Sequence, residues 1–123
     1  MSSNNPLARH GGLSYLEIPA SEPGKSAVFY AAVMGWKCEE RGINDFRFSD
    51  GSGHLIGRFP TGRQATRVPG ILVFIYVNNL QQAILSATQH GGETVKPPYA
   101  EGDVRVATIR DPSGNLIGLW QFA

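Results

Sequence analysis

Residues Asp50 to Gly57 read D-G-S-G-H-L-I-G, and residues Asp111 to Gly118 read D-P-S-G-N-L-I-G, six identities in eight positions at a spacing of 61 in a chain of 123 residues. A repeat whose spacing is half the chain predicts two copies of one small unit, paired about a pseudo-twofold axis, with any site drawn from both. Further out, Ala27, Val28, Phe29, Ala31 and Gly35 are echoed by Ala83, Ile84, Leu85, Ala87 and Gly91 at a spacing of 56. Insertions between matched elements account for the change of spacing.

Each half alone would bury too little apolar surface to be stable, so the two are expected to fold as one domain. Eleven basic against ten acidic side chains leave a net charge of +1. With no Lys/Arg run or basic helical stripe, nothing favours capture of nucleic acid. No long apolar run marks a membrane span or a signal peptide, and the single cysteine, Cys38, has no internal partner. The expected setting is therefore reducing and cytoplasmic. Met1 to His10, polar and containing Pro6, reads as a loose arm.

The pattern of elements repeats as well. Gly12 to Ile18 reads as a strand with Tyr15 and Glu17 on one face, ended by Pro19. Ser21 as N-cap and Pro23 in the first turn open a helix whose stripe is Ala27, Tyr30, Ala31 and Met34, stopped at Gly35. Trp36 to Arg41, Phe46 to Ser49 and Gly53 to Phe59 are strand candidates. After a connector over Thr61 to Pro69, Gly70 to Val77 is an unbroken apolar run, as expected of a strand covered on both faces. Asn79 and Gln82 resemble a capping box ahead of the stripe Leu80, Ala83, Ile84 and Ala87, which ends at Gly91 and Gly92. Glu93 to Lys96, Val104 to Arg110 and Asn115 to Phe122 complete the second unit. The expected fold is α+β: two βαβββ modules, about 12–60 and 70–123, in a curled mixed sheet around a central cavity with the helices outside.

The two βαβββ modules, E-I-P-A before A-V-F-Y and G-W, and the closing D-P-S-G-N-L-I-G-L-W-Q together resemble the glyoxalase/bleomycin resistance/dioxygenase group, or vicinal oxygen chelate superfamily. The resemblance covers nearly the whole chain. It implies a ligand or divalent metal in the cavity between modules and, commonly, a homodimer. In metal-dependent relatives the ligands come from the first and last strands of each module, which correspond to Tyr15, Gly57, Leu72 and Gly118. None is a histidine or a carboxylate, and a divalent ion usually needs three or more protein donors, so neither metal nor other cofactor is expected. Gly57 and Gly118, matched in the internal repeat, give the same result in both halves.

The remaining ionisable groups are scattered. Glu17, sharing a strand face with Tyr15, is the candidate catalytic acid or base, although an arginine-paired or rim glutamate is the more frequent reading. His54 falls on the opposite face from Gly57, His10 on the arm and His90 at a helix end, without metal-ligand spacing. Cys38 lacks a paired histidine or a CxxC motif and reads as an ordinary strand cysteine. Among the aromatic residues Tyr15, Phe46, Phe48, Phe59, Tyr99 and Trp120, several are expected to wall a pocket, with Arg105 or Glu101 near its mouth. The expected ligand-binding set is Tyr15, Glu17, Phe59, Arg105, Gly57, Gly118 and Trp120, the glycines giving access. Two functions stay open: metal-independent binding of a small molecule, or a glyoxalase-related enzyme of unknown substrate. A metal-dependent lyase or dioxygenase with a displaced site and a non-catalytic interaction module are the alternatives.

Overall fold

A computed structural model describes residues 5–123. The first module runs β1 (Tyr15–Glu17), α1 (Pro23–Met34), β2 (Lys37–Gly42), β3 (Asp45–Ser49), β4 (Ile56–Arg58). The second runs β5 (Phe74–Tyr76), α2 (Leu80–Gln89), β6 (Glu93–Glu101), β7 (Val104–Arg110), β8 (Leu116–Phe122). Each forms an open four-stranded mixed sheet, in the orders β1-β4-β3-β2 and β5-β8-β7-β6, with the first strand parallel to the last. This is the α+β arrangement of two βαβββ modules read from the sequence. Several strands are shorter than expected: β5 spans three residues of the apolar run 70–77, and Phe74 and Tyr76 are exposed rather than covered on both faces. β6, by contrast, continues to Glu101. It is the outermost strand of its sheet, and Pro97 and Pro98 lie where its register with β7 shifts between Lys96 and Tyr99.

Both helices lie on the same sheet face as the core, α1 against β2 and β3, and α2 against β6, β7 and β8. α1 starts at Pro23 with Glu22, not Ser21, at the cap, and no side chain caps it. Its buried stripe is Pro23, Ser26, Ala27 and Tyr30, one turn earlier than the sequence suggested; Ala31 is exposed. The difference follows from the aromatic residues it meets. Tyr30 stacks on Trp36 at 4.9 Å and on Phe59 at 5.6 Å, while Phe29 meets Tyr30 edge-on at 5.1 Å. Burying such rings contributes more than burying Ala31 would, so the helix turns to suit them. α2 follows its sequence signals: Asn79 Oδ1 accepts from Gln82 N at 3.0 Å, and Leu80, Ala83 and Ala87 are buried. One core runs through both modules, from Phe48 and Phe59 to Ile109 and Leu119.

The modules are joined by the D-P-S-G-N turn. Asn115 Nδ2 donates to Pro19 O at 2.7 Å, and Thr66 N donates to Asn115 Oδ1 at 2.7 Å. Asp111 is buried, accepting from Ser113 N, Asn115 N and Asn115 Nδ2, and from the Tyr30 hydroxyl of the other module. Desolvation pushes the Asp111 carboxyl above its usual range, against these hydrogen bonds. Burial and the neighbouring carboxylate push the Tyr30 hydroxyl well above its own, so it remains a donor.

The internal repeat and the fold differ by one residue. The first hairpin closes with Asp50 N donating to Leu55 O, and Ser49 pairs with Ile56; the second closes with Asp111 N donating to Asn115 O, and Arg110 pairs with Leu116. The first turn thus holds one residue more. Ser49 corresponds to Arg110, but beyond the turn Gly57 corresponds to Ile117 and Arg58 to Gly118. A slip of one residue exchanges the two faces of a strand. The matched glycines are therefore not structural equivalents. A Cβ on Gly57 would overlap the ring of Phe48 and the carbonyl of Leu16 on the helix face. One on Gly118 would overlap the ring of Phe74 on the opposite, open face.

Candidate functional site

The open faces of the two sheets differ in chemistry. Alternation along β1, β3 and β4 sends Leu16, Phe46, Phe48 and Gly57 toward the helices, leaving Tyr15, Glu17, Arg47, Ser49, Ile56 and Arg58 on the open face. Tyr15, Lys37, Glu39, Arg41, Arg47, Ser49 and Ile56 line a shallow hollow there. Glu17 and Arg58 are lateral neighbours in the parallel β1–β4 pair. Arg58 Nε donates to Glu17 Oε2 at 3.0 Å, and Arg63, from the connector between modules, donates to Oε1. The guanidiniums of Arg63 and Arg58 hold the Glu17 carboxyl below the usual glutamate range. A carboxylate engaged at both oxygens by two cations is a weak base.

In the second sheet the open face is aromatic instead of charged. Phe74 takes the place of Glu17 and Gly118 that of Arg58, paired in the equivalent parallel register. Further along, Tyr76 meets Trp120 edge-on at 5.0 Å, and Trp120 meets Phe122 edge-on at 5.0 Å. Phe74, Tyr76 and Phe122 are 47%, 46% and 62% exposed, large apolar groups left uncovered on one face. Where β1 and β5 approach, Tyr15, Leu13, Phe74 and Tyr76 line a cavity of about 370 Å³, with Leu16, Trp36 and Ile75 toward the core. This seam connects the charged face to the aromatic one.

Of the residues expected to bind ligand, Tyr15, Glu17, Gly118 and Trp120 lie on the open faces. Phe59 is buried in the core against Tyr30 and Phe48, and Gly57 lies beneath Phe48. Arg105, exposed, points with Ala107 and Ile109 to the other side of β7. Neither glycine opens space, since an aromatic ring occupies the position each side chain would take. Arg58, Arg63, Phe74, Tyr76 and Phe122 escaped the sequence reading. Alternation from Trp120 points to Phe122, whereas Arg63 comes from a connector without periodicity.

With the corrected register the positions that correspond to the ligand positions, Tyr15, Ile56, Arg58, Leu72, Leu116 and Gly118, carry no imidazole or carboxylate, and the neighbouring carboxylate of Glu17 is held by Arg58 and Arg63. Among the described residues no three His, Cys, Asp or Glu side chains gather anywhere. His54 Nδ1 lies 3.3 Å from Pro6 O on the arm and His90 Nδ1 2.8 Å from Ser86 O, so both are engaged locally, while His10 is exposed. Cys38 is half-buried, and desolvation pushes its thiol up, away from the thiolate form.

Residues 12–119 match the family model of the Glyoxalase/Bleomycin resistance protein/Dioxygenase superfamily, and the chain belongs to that superfamily. CFP32 of Mycobacterium bovis, provisionally named a glyoxylase, is 23% identical over 121 residues, 92% of this chain and 46% of its own length. The chain thus spans about half the length of the curated relatives it matches. A glyoxalase/bleomycin resistance protein/dioxygenase family enzyme from Burkholderia phytofirmans has a similar fold, with a TM-score of 0.74 and 17% identity over 89% of this chain and 98% of that one. The fosfomycin resistance protein FosX from Mesorhizobium loti gives 0.73 at 11% identity, over 92% and 93%.

Proposed function

We propose that this protein binds a small molecule at the seam between its modules without a divalent metal, and works as a homodimer in the cytoplasm. The observation that carries the reading is the cavity lined by Tyr15, Phe74 and Tyr76, with Glu17, two residues along β1 from Tyr15, already committed to two arginines. Exposed rings offer affinity there, and no metal-ligating or nucleophilic set offers a reaction. An enzymatic role for Glu17 would require its release from Arg58 and Arg63. The exposed Val68 and Ile71, outside that cavity, favour coverage by a second copy. Among the described residues no helix is long and apolar enough to cross a membrane. The reading is tested by screening a metabolite library by thermal shift, with and without chelator, on the protein and on Tyr15→Ala and Gly118→Leu. Ligands that stabilise the parent with or without chelator, but neither variant, support it; stabilisation that requires added metal refutes it.

A further inference from the structure

We infer, on the basis of that ligand-cleft reading, that the ligand is an anion bearing a flat aromatic group, its acidic group held by Arg58 and Arg63 and its ring lying against Tyr15, Phe74 and Tyr76. Two guanidiniums share one carboxylate, so the Glu17 cluster carries a surplus positive charge. Arginine has five N–H donors, and the hydrogen bonds to Glu17 engage only Arg58 Nε and Arg63 Nη2. The remaining donors suit a carboxylate or phosphate-like group, which guanidinium binds in a bidentate manner. Around them Lys37, Arg41 and Arg47 are offset by Glu39 and Asp45 alone, in a chain whose overall charge is only +1. A cation would be repelled by this face.

Across the seam the half-exposed Phe74 and Tyr76 line the same cavity as Tyr15, leaving apolar surface there for a further ring. Tyr15 stands two residues from Glu17 on the same face of β1, roughly 7 Å along the strand, which sets the separation between ring and acidic group. The pair Glu17–Arg58 corresponds to the pair Phe74–Gly118, so at this position the first module presents charge and the second a ring.

Calorimetric titration with 2-naphthoate, its neutral analogue 2-naphthamide, and cyclohexanecarboxylate tests both requirements. 2-Naphthoate is expected to bind at least tenfold more tightly than either of the others, with the preference over 2-naphthamide shrinking as salt is raised. Arg63→Gln, at an exposed connector position, should abolish that preference while leaving 2-naphthamide binding unchanged. Glu17→Gln should strengthen 2-naphthoate binding severalfold by releasing both arginines. Equal binding of 2-naphthoate and 2-naphthamide would overturn the anionic requirement while leaving the cleft itself in place, and equal binding of cyclohexanecarboxylate would overturn the aromatic one. Failure of all three probes at millimolar concentration overturns the inference, while the library screen decides the cleft separately.

Discussion

The hydroxyl of Tyr30 on the first helix donates to Asp111 Oδ2 at 2.8 Å, joining the buried face of one module to the closing turn of the other. Both side chains are buried, and each accounts for the other's position. Tyr30→Phe leaves the ring stacking intact but removes one donor from a desolvated carboxylate. The expected cost is about 1–3 kcal/mol, measured by urea unfolding.

Asp111 and Glu17 should give opposite pH dependences. The carboxyl of Asp111 is raised in the folded state, so its contribution is greatest below the ordinary aspartate value and is lost as pH rises through the folded value. That of Glu17 is lowered, so its contribution is present above the ordinary glutamate value and is lost as pH falls through the folded one. Stability measured from pH 3 to 7 should therefore show the parent gaining on Asp111→Asn, and losing ground to Glu17→Gln, as the solution is acidified.

The two glycines of the repeat should respond differently to alanine. At Gly57 the new methyl meets a backbone carbonyl as well as the buried ring of Phe48, so strands must move; a loss of about 3 kcal/mol is expected. At Gly118 it meets the half-exposed ring of Phe74, which can swing outward, and the loss should stay within about 1 kcal/mol. Equal melting temperatures for the two variants would contradict the register described above.

A homodimer should appear in light scattering as a species of twice 13.3 kDa at micromolar concentration. Replacing Val68 and Ile71 by serine should shift it toward monomer without loss of helical signal, because neither residue belongs to the core. A parent protein that is monomeric throughout would refute the assembly.

The module pattern could be read from the sequence because hydrophobic periodicity and turn residues act locally: Pro23, Gly35, Asn79 and the D-P-S-G-N turn lie at or beside element ends, much as their chemistry requires. The facing of β4 could not. L-I-G occurs twice, but one additional residue between Asp50 and Leu55 reverses which side chains meet the helices, and only the pairing of Ser49 with Ile56 reveals it. The partners of Glu17 were hidden for a related reason. Arg58 was obscured by the apparent match of Gly57 to Gly118, and Arg63 reaches the site from an irregular connector.

Pro97 and Pro98 in the outermost strand have a consequence for how this molecule meets others. A proline has no amide hydrogen, so two in succession leave β6 unable to template a continuous ladder on an incoming strand. The free margin of that sheet is thereby protected against end-to-end growth and fibre formation. A second copy of the chain would have to be met at this margin through side chains, a contact that can be specific and can close after two copies.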